Sequence, residues 1–245
     1  MRDFITCLEF LTRVSFSKRT DWRDEDFSRS VPYFPLVGLV IGSLLAAVNY
    51  GLFYIETPLF LRVTLLLLAE IIITGGLMYD GFMDTADGVF SARSRERMLE
   101  IMKDSHVGSN AVLAIIILLL LKIAAYLELS GETLTWVLLT MSVATRTFMV
   151  VFIVNFPYAR KEGIGHMFTK YAKPFYTYIA FAVCAGIIAA CGLQYLAVAG
   201  ICFTVTLIIA QYLKTQLGGL TGDTYGALTE CGNVIYLLTA VFLLR

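Results

Sequence analysis

The chain has 245 residues, of which 58% are hydrophobic and 16% charged, with a formal net charge of zero and a mean hydropathy of +0.76. Soluble globular domains run to about 45–50% apolar and about 25% charged, so the composition is that of a membrane protein. The balanced charge gives no footprint for a nucleic-acid partner, and five scattered cysteines without a CxxC pair argue against a disulfide framework or a zinc site.

Those cysteines read instead as small buried hydrophobes in a reducing compartment. The first 30 residues mix basic with acidic side chains, and Glu9 and Arg13 interrupt the apolar positions, so they do not form a cleavable signal peptide. Phe4–Phe16 is apolar on one side, which predicts a segment lying along the membrane surface.

A bilayer-crossing helix needs about 20 mainly apolar residues. Apolar runs at 32–55, 59–79, 107–127, 134–156, 174–193, 195–214 and 226–244 predict an all-α, polytopic transmembrane helical bundle of about seven spans. Gly38 and Gly42 form a GxxxG pair in the first run, suited to close helix contact. Basic residues alternate along the chain. Arg2, Arg13, Lys18, Arg19, Arg23 and Arg29 precede the first run. Arg93, Arg95, Arg97 and Lys103 follow the second, and Arg160, Lys161, Lys170 and Lys173 follow the fourth. The intervening connections carry none, which predicts a cytoplasmic N-terminus. Residues 1–245 read as a single integral membrane domain, with a cytoplasmic or interfacial segment at 1–30 and a cytoplasmic loop and helix at 80–106.

The informative stretch is Gly75-Gly-Leu-Met-Tyr-Asp80-Gly-Phe-Met-Asp84-Thr-Ala-Asp87-Gly. Asp80, Asp84 and Asp87 are spaced i, i+4, i+7 and share one face of a helix. Neighbouring like charges cost a few tenths of a kcal/mol per pair even in water. No Lys or Arg occupies the adjoining helical positions, so a divalent cation is the natural counter-charge, and hard carboxylate oxygens suit Mg²⁺ or Mn²⁺. A solvated acidic helix end, with Asp84 or Asp87 as a cap, is the bland alternative. Gly76 and its neighbouring glycines would admit a bulky ligand close to the backbone.

Three further segments can converge on that face. Arg93 and Arg97 suit bidentate phosphate binding, or simply face lipid head groups, and Asp104 could add a carboxylate. Phe156-Pro-Tyr-Ala-Arg160-Lys161 brings adjacent positive charges. Gly218-Gly-Leu-Thr-Gly222-Asp223 makes a glycine-rich turn, with Asp223 and Glu230 following on a new helix. Within the apolar runs, Glu70 and Arg146 fall at similar depth, about 15 Å from their cytoplasmic ends at about 1.5 Å per residue. That predicts a Glu70–Arg146 pair, with Lys122 snorkelling toward the outer face.

Taken together, the motifs at 75–88, Arg95-Glu-Arg-Met-Leu-Glu-Ile-Met-Lys-Asp-Ser at 95–105, Phe-Pro-Tyr-Ala-Arg at 156–160 and Gly-Leu-Thr-Gly-Asp-Thr at 219–224 resemble the signature of the cobalamin synthase (adenosylcobinamide-GDP ribazoletransferase) family. Glu9-Phe-Leu-Thr-Arg13 and Phe34-Pro-Leu-Val-Gly38 extend the resemblance over nearly the whole chain. Met78 departs from it, since many members carry histidine there.

The resemblance implies a multi-pass enzyme of the cytoplasmic (inner) membrane, with its active site facing the cytoplasm. It would join adenosylcobinamide-GDP to α-ribazole or α-ribazole 5′-phosphate and release GMP, with Mg²⁺ as the metal. A second copy of the chain or other cobalamin-pathway enzymes are further candidate partners. On that reading Asp80, Asp84 and Asp87 hold metal, and Asp84, Asp87 or Asp223 serves as base. Arg93, Arg97, Arg160, Lys161, Asp104, Glu230, Gly76 and Gly222 line the substrates. Two rivals fit less well. CDP-alcohol phosphotransferases carry DG-x-x-AR followed by G-x-x-x-D-x-x-x-D; here one extra residue precedes Ala92-Arg93 and the trailing motif is missing. A cation transporter would place its acids nearer the bilayer midplane.

Overall fold

The computed structural model describes residues 2–14, 23–129 and 131–244, with side chains throughout except at Asp24 and Ile164. Lys18 and Arg19, used above to orient the chain, lie outside the described residues. The described residues form α-helices joined by short connections, with one parallel β-bridge, Tyr158 to Leu220.

Each of the seven apolar runs folds as a helix: α3 (Phe34–Tyr54), α4 (Leu59–Thr74), α7 (Ser109–Glu128), α8 (Gly131–Asn155), α10 (Phe175–Cys191), α11 (Leu193–Leu217) and α12 (Gly222–Leu244). Five are long and apolar enough to cross a bilayer alone: α3 with the short helix before it, α7, α8, α11 and α12. The 17 residues of α10 make it the shorter exception, and α4 is half of a broken pair. Five small helices join them: α1 (Arg2–Leu11), α2 (Asp24–Ser30), α5 (Leu77–Phe90), α6 (Arg95–Ile101) and α9 (Ile164–Lys170).

The centre is α8, in which every residue from Thr140 to Ile153 is buried. A helix apolar all round belongs inside, and its polar side chains must find partners within the protein. They do so locally: Thr140, Thr145 and Thr147 donate to the carbonyls of Trp136, Met141 and Val143 at 2.8, 3.0 and 2.8 Å. The glycine pair of α3 packs on α8 as the spacing predicts. A Cβ on Gly42 would lie 2.7 Å from the Leu139 Cα, so only glycine permits this approach. Asn49 locks the far end by donating to the Gly131 carbonyl at 3.1 Å and to the Thr135 hydroxyl at 2.9 Å. On the periphery, Leu113, Ile116, Ile117, Leu120 and Leu121 of α7 are exposed at helical spacing, the band expected to face lipid.

The N-terminal segment packs onto the helical bundle. Cys7, Leu8 and Leu11 of α1 are buried against the protein, and Phe10, Phe27, Phe34 and Phe168 from α1, α2, α3 and α9 form an aromatic cluster, with Phe168 4.8–5.6 Å from the other three.

The second apolar run ends earlier than its hydropathy suggests. Gly75 and Gly76 both have left-handed backbones, φ +67° and +73°, a region glycine enters without a steric penalty. They terminate α4 at Thr74 and turn the chain by 93° into α5. At 14 residues with three aspartates, α5 is too short and too acidic to be a span of its own, and it is read as lying outside the membrane-spanning segments.

That bend overturns the predicted Glu70–Arg146 pair. Depth was counted along a straight helix, whereas the chain turns after Thr74. Glu70 is paired with Lys122, which does not snorkel but is fully buried: its Nζ lies 2.8 Å from Glu70 Oε1, 2.7 Å from Glu230 Oε2 and 2.7 Å from the Tyr79 hydroxyl. Arg146 bonds the Thr145 hydroxyl at 3.1 Å instead. One ammonium therefore joins α4, α5, α7 and α12. Removing one partner of a buried ion pair costs on the order of 3–5 kcal/mol. Lys122→Met is expected to lose stability on that scale in detergent thermal unfolding, with part of it restored when Glu70→Gln and Glu230→Gln are added. A single variant as stable as the parent would deny the cluster this role.

Candidate active site

The site is assembled by one helix crossing, one strand-like contact and one helix cap. Gly81 of α5 faces the backbone of Asp223 at the start of α12, where an added Cβ would come within 2.7 Å of the Asp223 carbonyl oxygen. Residue 81 has to be small for the two acidic helices to meet. The Phe-Pro-Tyr-Ala-Arg segment docks beside the Gly-Gly-Leu-Thr turn through Ala159 N–H donating to the Leu220 carbonyl and Leu220 N–H donating to the Pro157 carbonyl, both at 2.8 Å. That ladder delivers Arg160 to Asp223, Nη1 to Oδ2 2.7 Å. Thr221 and Thr224 cap α12 reciprocally: the Thr221 N–H reaches the Thr224 hydroxyl at 2.7 Å, and the Thr224 N–H reaches the Thr221 hydroxyl at 3.2 Å.

The acidic row divides in its roles. Asp80 is exposed and Asp84 half-buried, and among the described residues neither carboxylate makes a hydrogen bond or ion pair. Burial, then the charges of Asp223 and Asp80, push the Asp84 carboxyl up to about 7 against the opposing pull of Arg160. Asp87 does something else. Its carboxylate accepts from the Gly108 N–H at 2.6 Å and the Ala111 N–H at 2.8 Å, capping α7. Capping was the bland alternative for this row, and at Asp87 the geometry follows it. The acid brought up to Asp80 and Asp84 is Asp223 rather than Asp87.

Other predicted members fall outside. Glu230 does not reach the acidic row; it is buried on Lys122. Asp104 sits at the surface with His106, Oδ1 to Nδ1 2.6 Å, a contact that lowers the carboxyl pKa and raises that of the imidazole. Arg97 is exposed and paired with Glu100 at 2.8 Å, and Arg93 and Lys161 are exposed. Arg95 packs its guanidinium against Gly218 at the C-terminal end of α11, where a cation is favoured by the helix dipole.

Two cavities meet at Asp80. One, of about 230 Å³, is lined mainly by apolar and aromatic side chains, with Arg160, Asp80 and Asp223 at its polar edge and Gly222 beside them. The other, of about 610 Å³, is lined by Glu9, Arg13, Gly75, Gly76 and Asp80. Tyr158, inside the 156–160 motif, and Tyr225, just after the 219–224 motif, also line the smaller cavity; the sequence reading gave neither a role, because an aromatic side chain there carries no periodic signal.

Among the described residues, no three His, Cys, Asp or Glu side chains are gathered to enclose a metal ion. The donor chemistry nevertheless suits Mg²⁺. Asp80, Asp84 and Asp223 are hard-oxygen donors coupled through their charges, and Mg²⁺ commonly takes only one or two carboxylates, completing its shell with water and phosphate.

Because the folded-state carboxyl of Asp84 titrates above its ordinary value of 3.8, the folded protein holds a proton that the unfolded chain has already released. The stability tied to that proton is present at low pH and is lost as pH rises through about 7. Infrared titration of the metal-free protein should show a protonated carboxyl band disappearing near that pH, absent in Asp84→Asn. In Asp223→Asn it should move toward the ordinary carboxylate range. A profile with no carboxyl titrating above the ordinary range would contradict the electrostatic picture.

Comparison with known proteins gives a consistent result. A family model described as cobalamin-5-phosphate synthase matches residues 3–241. A protein from Desulforamulus reducens is 41% identical over 91% of this chain and 89% of its own length. One from Clostridium novyi is 36% identical over 97% and 96%, and one from Escherichia coli 37% over 96% and 97%. All three are named adenosylcobinamide-GDP ribazoletransferase. No solved structure matches significantly. With its described helices, its paired acidic elements and a match across nearly its full length, this chain belongs to the cobalamin-5-phosphate synthase family.

Proposed function

We propose that the chain is an adenosylcobinamide-GDP ribazoletransferase: a ribazole hydroxyl attacks the cobinamide-side phosphorus of the diphosphate, a P–O bond to that phosphorus forms, the bond to the bridging oxygen breaks, and GMP departs. The observation that carries this reading is the crossing of α5 and α12 at Gly81 and Asp223, which sets the acidic row of one helix against the Asp223–Arg160 pair of the other. Such displacements depend on positioning and charge neutralisation more than on covalent catalysis.

The residues divide the work as follows. Asp84, half-buried and without a hydrogen-bond partner among the described residues, takes the proton from the attacking hydroxyl. Asp80 and Asp223 are the carboxylates that would hold Mg²⁺. The ion, when bound, neutralises charge building on the phosphoryl oxygens. Arg160 has Nε and Nη2 buried without partners; these donors suit diphosphate oxygens, while Nη1 stays on Asp223. The two cavities that share Asp80 suit a two-substrate transfer, the larger and more open one accepting the bulkier donor. Arg93, Arg95, Arg97, Lys103, Arg160 and Lys161 cluster in the connections at this end of the bundle, which supports a cytoplasmic orientation for the site.

The test is GMP release from adenosylcobinamide-GDP and α-ribazole by the protein in liposomes, with and without Mg²⁺. Turnover is expected only with the metal. Asp84→Asn is expected to lower kcat about 10²–10⁴-fold, and Arg160→Gln to lower kcat/KM by about 10²-fold or more. Near-normal Mg²⁺-dependent turnover by Asp84→Asn would remove that residue from the mechanism.

A further inference from the structure

The smaller cavity has a chemistry of its own. From the polar edge formed by Asp80, Arg160 and Asp223 it runs inward to an apolar floor of Phe34, Met149, Ile153 and Phe168. Besides Arg160 at the edge, whose Nε and Nη2 are unpartnered, one further lining residue carries a buried, unpartnered polar atom. Tyr225 lines the cavity; its hydroxyl is buried and has no hydrogen-bond partner among the described residues, and the residue is only 4% exposed. Leaving a buried hydroxyl unpaired costs about 1–3 kcal/mol, so a ligand acceptor at that point would be favoured.

Three constraints select the ligand. The volume of about 230 Å³ falls below the roughly 300–1,000 Å³ of sites for drug-sized molecules, which excludes a corrin ring and admits a single planar base. An apolar, aromatic lining favours a base with little polar periphery. Guanine would bury several donors and acceptors at a floor offering few partners, each unpaired group being costly. A benzimidazole nucleoside, by contrast, keeps one unsubstituted ring nitrogen, an acceptor, and the cavity holds one orphan hydroxyl donor. We infer that this cavity, between α5, α8, α9 and α12, seats the benzimidazole base of the acceptor nucleoside, with Tyr225 Oη donating to its free ring nitrogen and the ribose hydroxyl directed to the Asp80–Arg160–Asp223 edge. The inference rests on the ribazoletransferase reading for the name of the acceptor and adds where it binds and what selects it.

Two variants and two readouts test it. Equilibrium binding of α-ribazole, followed by benzimidazole fluorescence without the donor substrate, reports the seat; GMP release reports the reaction. Tyr225→Phe is expected to weaken α-ribazole binding and raise its KM about 3- to 10-fold, with the KM for adenosylcobinamide-GDP unchanged. Ile153→Ala, which deepens the floor, is expected to shift relative kcat/KM toward a naphthimidazole ribonucleoside by about 10-fold or more, an effect that mere loosening of the fold would not produce. If Tyr225→Phe does not fold, the selectivity of Ile153→Ala decides. Unchanged α-ribazole binding and selectivity in the folded variants, or a raised KM for the donor instead, would overturn the assignment. Intact, Tyr225-dependent α-ribazole binding without GMP release by the unmodified protein would sink the proposed reaction and leave the seat standing.

Discussion

The architecture turns on one buried ammonium. Lys122 binds Glu70, Glu230 and the Tyr79 hydroxyl with no access to water, and these four residues come from four different helices. In hydrocarbon an unpaired charge is expensive, so the four helices are constrained to positions where the ammonium is satisfied. Two of the ligands continue directly into the chemistry: Tyr79 precedes Asp80, and Glu230 lies two turns after Asp223 on α12. The separation between the acidic row and Asp223 is therefore referred to a charge cluster inside the membrane domain rather than to flexible loops.

Electrostatics at the wet end then complements electrostatics at the dry end. Burial first, and then the charges of Asp223 and Asp80, which Arg160 alone does not offset, hold the proton on Asp84. An arrangement of this kind is poorly satisfied empty and is improved by a cation and a diphosphate together. Asp87 shows the same residue type serving packing instead: one turn further along α5, its carboxylate meets the opening turn of α7 and fastens that helix in place.

Much of this was legible in the residues. Seven apolar runs became seven helices, and the glycine pair at 38 and 42 marked a real helix contact. The motifs at 75–88, 156–160 and 219–224 converged, bringing Asp80, Arg160 and Asp223 to one cavity. What escaped reading depended on three-dimensional turns. The consecutive left-handed glycines at 75 and 76 broke a run that hydropathy shows as continuous, and with it the ruler that paired Glu70 with Arg146. The i, i+4, i+7 spacing correctly gathered three aspartates on one helix face. It contained nothing about the neighbouring N-terminus that would claim Asp87, nor about the second helix that would substitute Asp223 for it. Glu230 was read from its spacing to Asp223, but seven residues of helix carry a side chain well below the surface that its predecessor shares with solvent.

The broken span also changes the standing of the first helix. Where α4 stops, its last carbonyls lose their intrahelical donors, and at membrane depth such groups are tolerated only against protein or water. The Arg13 N–H supplies one donor, bonding the Ile73 carbonyl at 2.8 Å, while the Arg13 side chain lies over Gly75. The leading segment is thus a plug for an opening in the backbone ladder rather than a leash trailing from the bundle, and a shortened form of the protein that lacked it would admit solvent beside the acidic helix.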